Sequence, residues 1–106
     1  MANAQRFQDK VVIVTGAAQG IGQGVALQVA LEGGKVVLAD RADYVEKTLN
    51  DIQANGGEAV VVLADLETYA GAQAVVQKAI DHYGRVDVIK NKNKKAILMK
   101  NIKQIT

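Results

Sequence analysis

Three glycines, Gly16, Gly20 and Gly22, and two aspartates, Asp40 and Asp65, are the residues of this sequence whose types and spacing could do chemistry. The glycines fall within Thr15-Gly-Ala-Ala-Gln-Gly-Ile-Gly22. Glycine at 16 permits a tight turn, glycine at 20 removes a side chain where a phosphate must approach the backbone, and glycine at 22 lets a helix pack close to a sheet. A helix that begins in such a turn presents N–H groups and the positive end of its dipole to an anion, so the loop of Gly16, Gly20 and Gly22 is a candidate pyrophosphate site. No lysine follows in the position that a triphosphate-binding loop requires. The spacing is G-x-x-x-G-x-G rather than the commoner G-x-G-x-x-G. A glycine-rich turn without a ligand is the alternative, and glycines alone are weak evidence; here strand, loop and helix agree.

Asp40 lies 18 residues after Gly22, at the end of a second apolar run. A carboxylate there accepts hydrogen bonds from both hydroxyls of an adenosine ribose and repels the extra phosphate of NADP, so the expected cofactor is NAD. Arg41 pulls the other way, since an arginine at that point can meet a 2′-phosphate or stack on adenine. The alternative for Asp40 is an ordinary turn or helix-capping role. Asp65 ends the next apolar run; its carboxylate suits the exocyclic amine of adenine and the backbone N–H of Leu66 suits a ring nitrogen, although Asp65 could equally cap a helix beginning near Thr68. Asp87 follows Gly84-Arg85, where aligning the sheet is a better role than catalysis.

The elements that must hold these residues are legible in the apolar pattern. Lys10–Thr15, Val36–Ala39, Ala59–Ala64 and Val86–Ile89 read as strands, the first two as β-branched or aliphatic runs suited to burial on both sheet faces. Between them, Gly20 to Leu31 reads as a helix with Ile21, Val25, Leu27, Val29 and Leu31 inward, stopped by Gly33-Gly34. Tyr44 to Ala54 reads as a second helix on Val45, Leu49 and Ile52, and Tyr69 to Tyr83 as a third on Val75, Val76, Ala79 and Ile80. Four strands alternating with three helices, without a hairpin signal, imply right-handed parallel crossovers. The expected fold is therefore α/β, a partial, Rossmann-like doubly wound parallel sheet in the order 3-2-1-4, truncated after its fourth strand.

Taken together, the glycine loop, Asp40, Asp65-Leu66 and Gly84-Arg-Val-Asp-Val88 resemble the short-chain dehydrogenase/reductase family, through about residue 89. The resemblance implies an oxidoreductase in which Gly16, Gln19, Gly20, Ile21 and Gly22 of the loop hold the pyrophosphate, Asp40 selects NAD, Asp65 and Leu66 meet adenine, and Asn91 lines the cofactor's ribose. At finer grain, Arg6-Phe7, Lys10 to Gly22, Ala39-Asp-Arg41 and Ala64-Asp-Leu-Glu67 look like the bacterial cis-diol dehydrogenases of benzoate and toluate breakdown. That implies hydride transfer from a dihydroxycyclohexadiene carboxylate, whose product loses carbon dioxide to give a catechol. A 3-oxoacyl reductase of the same family is disfavoured by Asp40, and a non-catalytic nucleotide-binding or interaction module is the rival from another class.

Past strand four the sequence departs from the family. Where the family reads Asn-Asn-Ala-Gly, this chain reads Lys90-Asn-Lys-Asn-Lys-Lys95, matching only at Asn91. None of Tyr44, Tyr69 and Tyr83 has a lysine four residues later, so no catalytic residue is assigned; the family's tyrosine base and the lysine that lowers its pKa are both missing from the expectation. The chain thus reads as a dinucleotide-binding half-domain over residues 1–90, inactive by itself, and a tail over 91–106 in which 11 of 16 residues are Lys, Asn or Ile. A frameshifted or mispredicted gene end is the preferred account of the tail.

Charge sharpens that division. Residues 1–87 carry 7 Lys and Arg against all 11 Asp and Glu, whereas residues 88–106 carry 6 Lys and no acid. The lysines invite a nucleic-acid arm, but no aromatic residues are interleaved and no reading helix is present, so nucleic acid is not an expected partner. The absence of cysteine and the single His82 exclude a disulfide framework and a thiolate or multi-histidine metal site. The polar N-terminus and the lack of a long apolar run suggest a cytoplasmic protein without a membrane partner. Stopping at strand four would leave an open parallel edge, from which self-association is expected. The expected partners are a dinucleotide and, in the full-length family, a small-molecule substrate.

Overall fold

A computed structural model describes residues 5–65 and 68–90. Strands β1 (Val11–Thr15), β2 (Lys35–Asp40), β3 (Glu58–Leu63) and β4 (Val88–Lys90) form one sheet in the order β3-β2-β1-β4, every neighbouring pair parallel. Helices α1 (Gly20–Leu31), α2 (Glu46–Ala54) and α3 (Tyr69–Tyr83) are the crossovers, with a 3-10 turn at Asp43–Val45 leading into α2. The chain steps outward from β1 through β2 to β3 and then returns to the other side of β1. The order of the strands therefore reverses between β1 and β4, and ligands of open α/β sheets sit beyond the carboxyl ends of the strands at such a reversal.

Alternation along the strands divides the core in two. Val12, Val14, Val36 and Leu38 face α1 and α2, together with Ala26, Val29, Val45 and Ile52. Val11, Ile13, Val37 and Ala39 face α3, against Ala72, Val75, Val76 and Ala79. The central strands β1 and β2 are buried on both faces, which is why their sequences are apolar runs rather than alternations.

The structure revises some local expectations. On α1 the buried residues are Gly22, Ala26 and Val29, while Ile21 is 85% exposed and Leu31 is also exposed. The reason is steric: a Cβ on Gly22 would lie 2.1 Å from the Gly16 carbonyl oxygen, so only small residues fit where the helix leaves the loop. The segment expected as one helix from Tyr44 divides into the 3-10 turn and α2, with Thr48 rather than Leu49 fully buried between Val45 and Ile52. Strand β4 begins at Val88, two residues later than expected.

The amino ends of the strands are closed by side chains. Arg6 forms a bidentate pair with Glu32, one arm of it 2.7 Å long, and Gln28 donates to the same carboxylate. Glu32 is almost completely buried at the C-terminus of α1, where the helix dipole disfavours a negative charge, and it lies beneath the exposed Arg6. The Arg6 bonds foremost, then that from Gln28, lower the Glu32 pKa to about 2. Nearby, Asp87 accepts from the Val11 N–H at 2.8 Å while its own N–H donates to the Val11 carbonyl at 2.9 Å, and Arg85 donates to its other carboxylate oxygen. Asp87 thus aligns β4 with β1.

Candidate functional site

At the opposite end, the register places Thr15 beside Ala39 and Asp40 beside Leu63, so the loops that leave β1, β2 and β3 emerge along one edge. Gly16 and Gly20 adopt φ of 65° and 62°, a left-handed conformation open to glycine at little cost, and so bracket the turn. Between them Ala17 and Ala18 are buried and Gln19 is exposed. Among the described residues, a Cβ on Gly20 would meet nothing within 4 Å, so none of them fills the space above the turn. Gln19 stands at the N-cap of α1 without a capping side-chain bond, and no acidic residue occupies the first turn. The helix start thus has no capping bond from Gln19 and no acidic residue in its first turn, and such a helix end favours an anion.

Asp40 is half-buried at the end of β2, and its carboxylate spans two backbone donors. Its Oδ2 accepts from the Ala18 N–H at 2.9 Å and its Oδ1 from the Ala42 N–H at 3.0 Å. The turn-forming role considered from sequence is thus real, and it fixes the carboxylate beside the glycine loop with lone pairs remaining on both oxygens. Arg41 is exposed next to it.

Asp65 follows β3 and is half-buried. The N-cap of α3 is Thr68, its Oγ1 accepting from the Gly71 N–H at 2.9 Å and donating to the Asp65 carbonyl at 2.8 Å. A threonine hydroxyl one turn closer to the helix serves better than a carboxylate whose backbone is still leaving the strand. Leu66 and Asn91 lie outside the described residues.

Two contributors to the site escaped the sequence reading. Gly71 lets the start of α3 sit against the loop from β3, since a Cβ there would lie 1.9 Å from the Asp65 carbonyl oxygen. Thr48, 0% exposed, reaches from α2 to donate to the Ala17 carbonyl at 2.9 Å. A signal for Thr48 was present: it sits three residues after Val45 and four before Ile52, on the apolar stripe, where a hydroxyl must find a partner.

The family model described as short chain dehydrogenase matches residues 10–95. This chain belongs to the short-chain dehydrogenase family. Over all 106 residues it is 55% identical to a 1,6-dihydroxycyclohexa-2,4-diene-1-carboxylate dehydrogenase of Acinetobacter baylyi, covering 100% of this chain and 41% of that enzyme. A Pseudomonas putida enzyme of the same name is 40% identical over 87 residues, covering 82% of this chain and 32% of the enzyme. Among solved structures, the hydroxysteroid dehydrogenase of Escherichia coli superposes with a TM-score of 0.80 at 32% identity, over 86% of this chain and 39% of that one. The chain thus spans about two fifths or less of these relatives. Both the family match and the Acinetobacter match extend past Ile89, where the resemblance read from the sequence ended.

Members of the family typically bind a nicotinamide dinucleotide. The residues present fit one: an open glycine turn, an uncapped helix start and a fixed carboxylate lie along the same end of the sheet. Among the described residues no helix is long and apolar enough to cross a membrane.

Proposed function

We propose that this chain is the NAD-binding part of a short-chain dehydrogenase that oxidises a cis-dihydrodiol carboxylate. The observation that carries the reading is the Asp40 carboxylate, held by the Ala18 and Ala42 N–H groups beside an uncapped, glycine-opened helix start. The N–H groups of Gly20, Ile21 and Gly22 would receive the pyrophosphate, and Gln19, exposed at the rim, would border it. Asp40 would accept from the ribose hydroxyls, and its charge opposes a 2′-phosphate at the same place. Asp65 and Leu66 would receive the adenine edge, and Asn91 the second ribose. A nicotinamide bound there would supply the hydride acceptor for oxidation of the alcohol carbon. The substrate class is carried over from the names of the Acinetobacter and Pseudomonas relatives.

Nothing in residues 1–106 supplies a tyrosine with a lysine four positions later, so the chain by itself holds cofactor without turning over substrate. On this reading the dinucleotide-binding half-domain ends at residue 90, the protein is cytoplasmic, and it self-associates along β4, which has a sheet neighbour on one side only among the described residues. Sedimentation of the purified chain tests the last point: a monomer at all concentrations removes it.

Fluorescence titration with NADH and NADPH tests the cofactor assignment. NADH should bind at least about tenfold more tightly, a difference of about 1.4 kcal/mol, and Asp40→Ala should erase the preference. Preference for NADPH in the parent chain would overturn the role of Asp40 and favour the 3-oxoacyl reductase reading; no binding of either would remove the cofactor claim.

A further inference from the structure

The peptide group joining Ala17 and Ala18 is clamped from both sides. Its carbonyl accepts from Thr48 Oγ1 at 2.9 Å, and its N–H donates to Asp40 Oδ2 at 2.9 Å. The Ala17 N–H adds a longer bond to the Ala39 carbonyl, 3.3 Å. These contacts join the glycine loop to residues of β2 and α2 that lie 22 to 31 positions further along the chain. We infer that Thr48 is a positioning residue for the dinucleotide, setting the orientation of the Ala17–Ala18 peptide and through it the register between the phosphate loop and the Asp40 carboxylate; this rests on the cofactor reading proposed above.

Two properties of the site favour this assignment. The turn lies between two residues of positive φ, Gly16 and Gly20, whose backbone torsions have more alternatives than those of other residues, so the ends of the loop by themselves do little to fix the peptide between them. The Thr48 hydroxyl is fully buried, and a threonine within a helix commonly returns its hydroxyl to a carbonyl of the preceding turn. Here it is directed instead to a loop carbonyl 31 residues away. If the peptide rotated, its N–H would leave Asp40 and its carbonyl would turn away from Thr48. The carboxylate and the helix start would then no longer be held in one arrangement. Thr48 touches neither phosphate nor ribose in this scheme; it acts through the peptide.

The experiment measures NADH affinity together with hydrogen exchange at the Ala18 amide, resolved by NMR, in the full chain and in Thr48→Val and Thr48→Ser. Valine keeps the shape and removes the donor, leaving the Ala17 carbonyl buried and unpaired. The expected result is NADH binding weakened about tenfold and Ala18 exchange accelerated about tenfold, both of the size of one lost buried hydrogen bond. Exchange at Ile13 and Val37 in the core should stay unchanged, whereas general destabilisation would accelerate all three. Serine should restore both readouts to within about threefold of the parent.

Unchanged NADH affinity in Thr48→Val, or a serine variant as impaired as the valine one, would overturn the inference. Should the valine variant not fold, fast exchange of Ala18 in the parent chain would equally overturn it. If the parent binds no dinucleotide, the proposed function falls. Ala18 exchange in the ligand-free variants then still decides whether the clamp exists, so the two failures are distinguishable.

Discussion

The two ends of the same sheet use polar groups in opposite ways. At the amino ends, side chains bond to partners within the protein until the charges are matched: Arg6 and Gln28 on Glu32, Arg85 and the Val11 N–H on Asp87. At the carboxyl ends, Asp40 and Thr48 hold backbone, and the N-terminus of α1 lacks a capping side chain. One end is finished by the fold, while the other is shaped by it and leaves donors facing outward. The contrast follows from chain direction in a parallel sheet, which puts every helix N-terminus that follows a strand on the carboxyl side.

The strongest way to break this contrast is Gly22→Ala. The added methyl would lie against the Gly16 carbonyl, which is backbone and cannot swing aside, so α1 must shift away from the loop. A loss of about 3 kcal/mol in denaturant-induced unfolding is expected, with NADH binding abolished. At the amino end, Asp87→Ala should cost about 1–2 kcal/mol by leaving the Val11 N–H without its carboxylate, yet preserve NADH binding. Loss of binding there would show that the two ends are not independent.

Acid should loosen the amino end. Glu32, with its pKa lowered from 4.5 to about 2, contributes stability that is fully present above the unfolded value and is lost as pH falls from 4.5 through about 2. Asp87 acts in the same direction: burial opposes its ionisation, but bonds from Arg85 and Val11 outweigh that and keep its pKa below the ordinary value. Thermal unfolding followed from pH 6 to pH 2 should therefore show a shallower decline in Glu32→Gln than in the parent, and identical slopes would remove Glu32 from the account.

The smallest effect is expected at Tyr83, whose hydroxyl is buried without a hydrogen-bond partner among the described residues. Burial first, and the charge of Glu58 second, raise its pKa to about 12. The unfolded chain ionises near 10, so stability falls as pH rises from 10 to 12, and Tyr83→Phe should remove that fall while changing the neutral-pH melting temperature by no more than a few degrees. Spectrophotometric titration of the tyrosines checks it directly.

Much of this was legible in the sequence, for reasons that differ by residue. The apolar strands, the helices between them and the glycine turn are local patterns, and the order 3-2-1-4 follows from alternation and crossover handedness. The inward face of α1 was misjudged because apolarity suggested Ile21 and Leu31, while close approach to the loop selected Gly22 and Ala26. The Arg6–Glu32 pair and the Thr48–Ala17 bond join residues 26 and 31 positions apart, and no periodicity records such a pairing. Asp40 was singled out for a ligand, and the structure adds that it also supports the loop beside it.

Hydrogen exchange across the whole chain, with and without saturating NADH, tests the contrast between the two ends most directly. Residues 16–22 and 40–42 should gain protection, while residues 5–10 and 85–87 should not change. Protection confined to the amino end, or none anywhere, would contradict a dinucleotide site at the carboxyl ends of these strands.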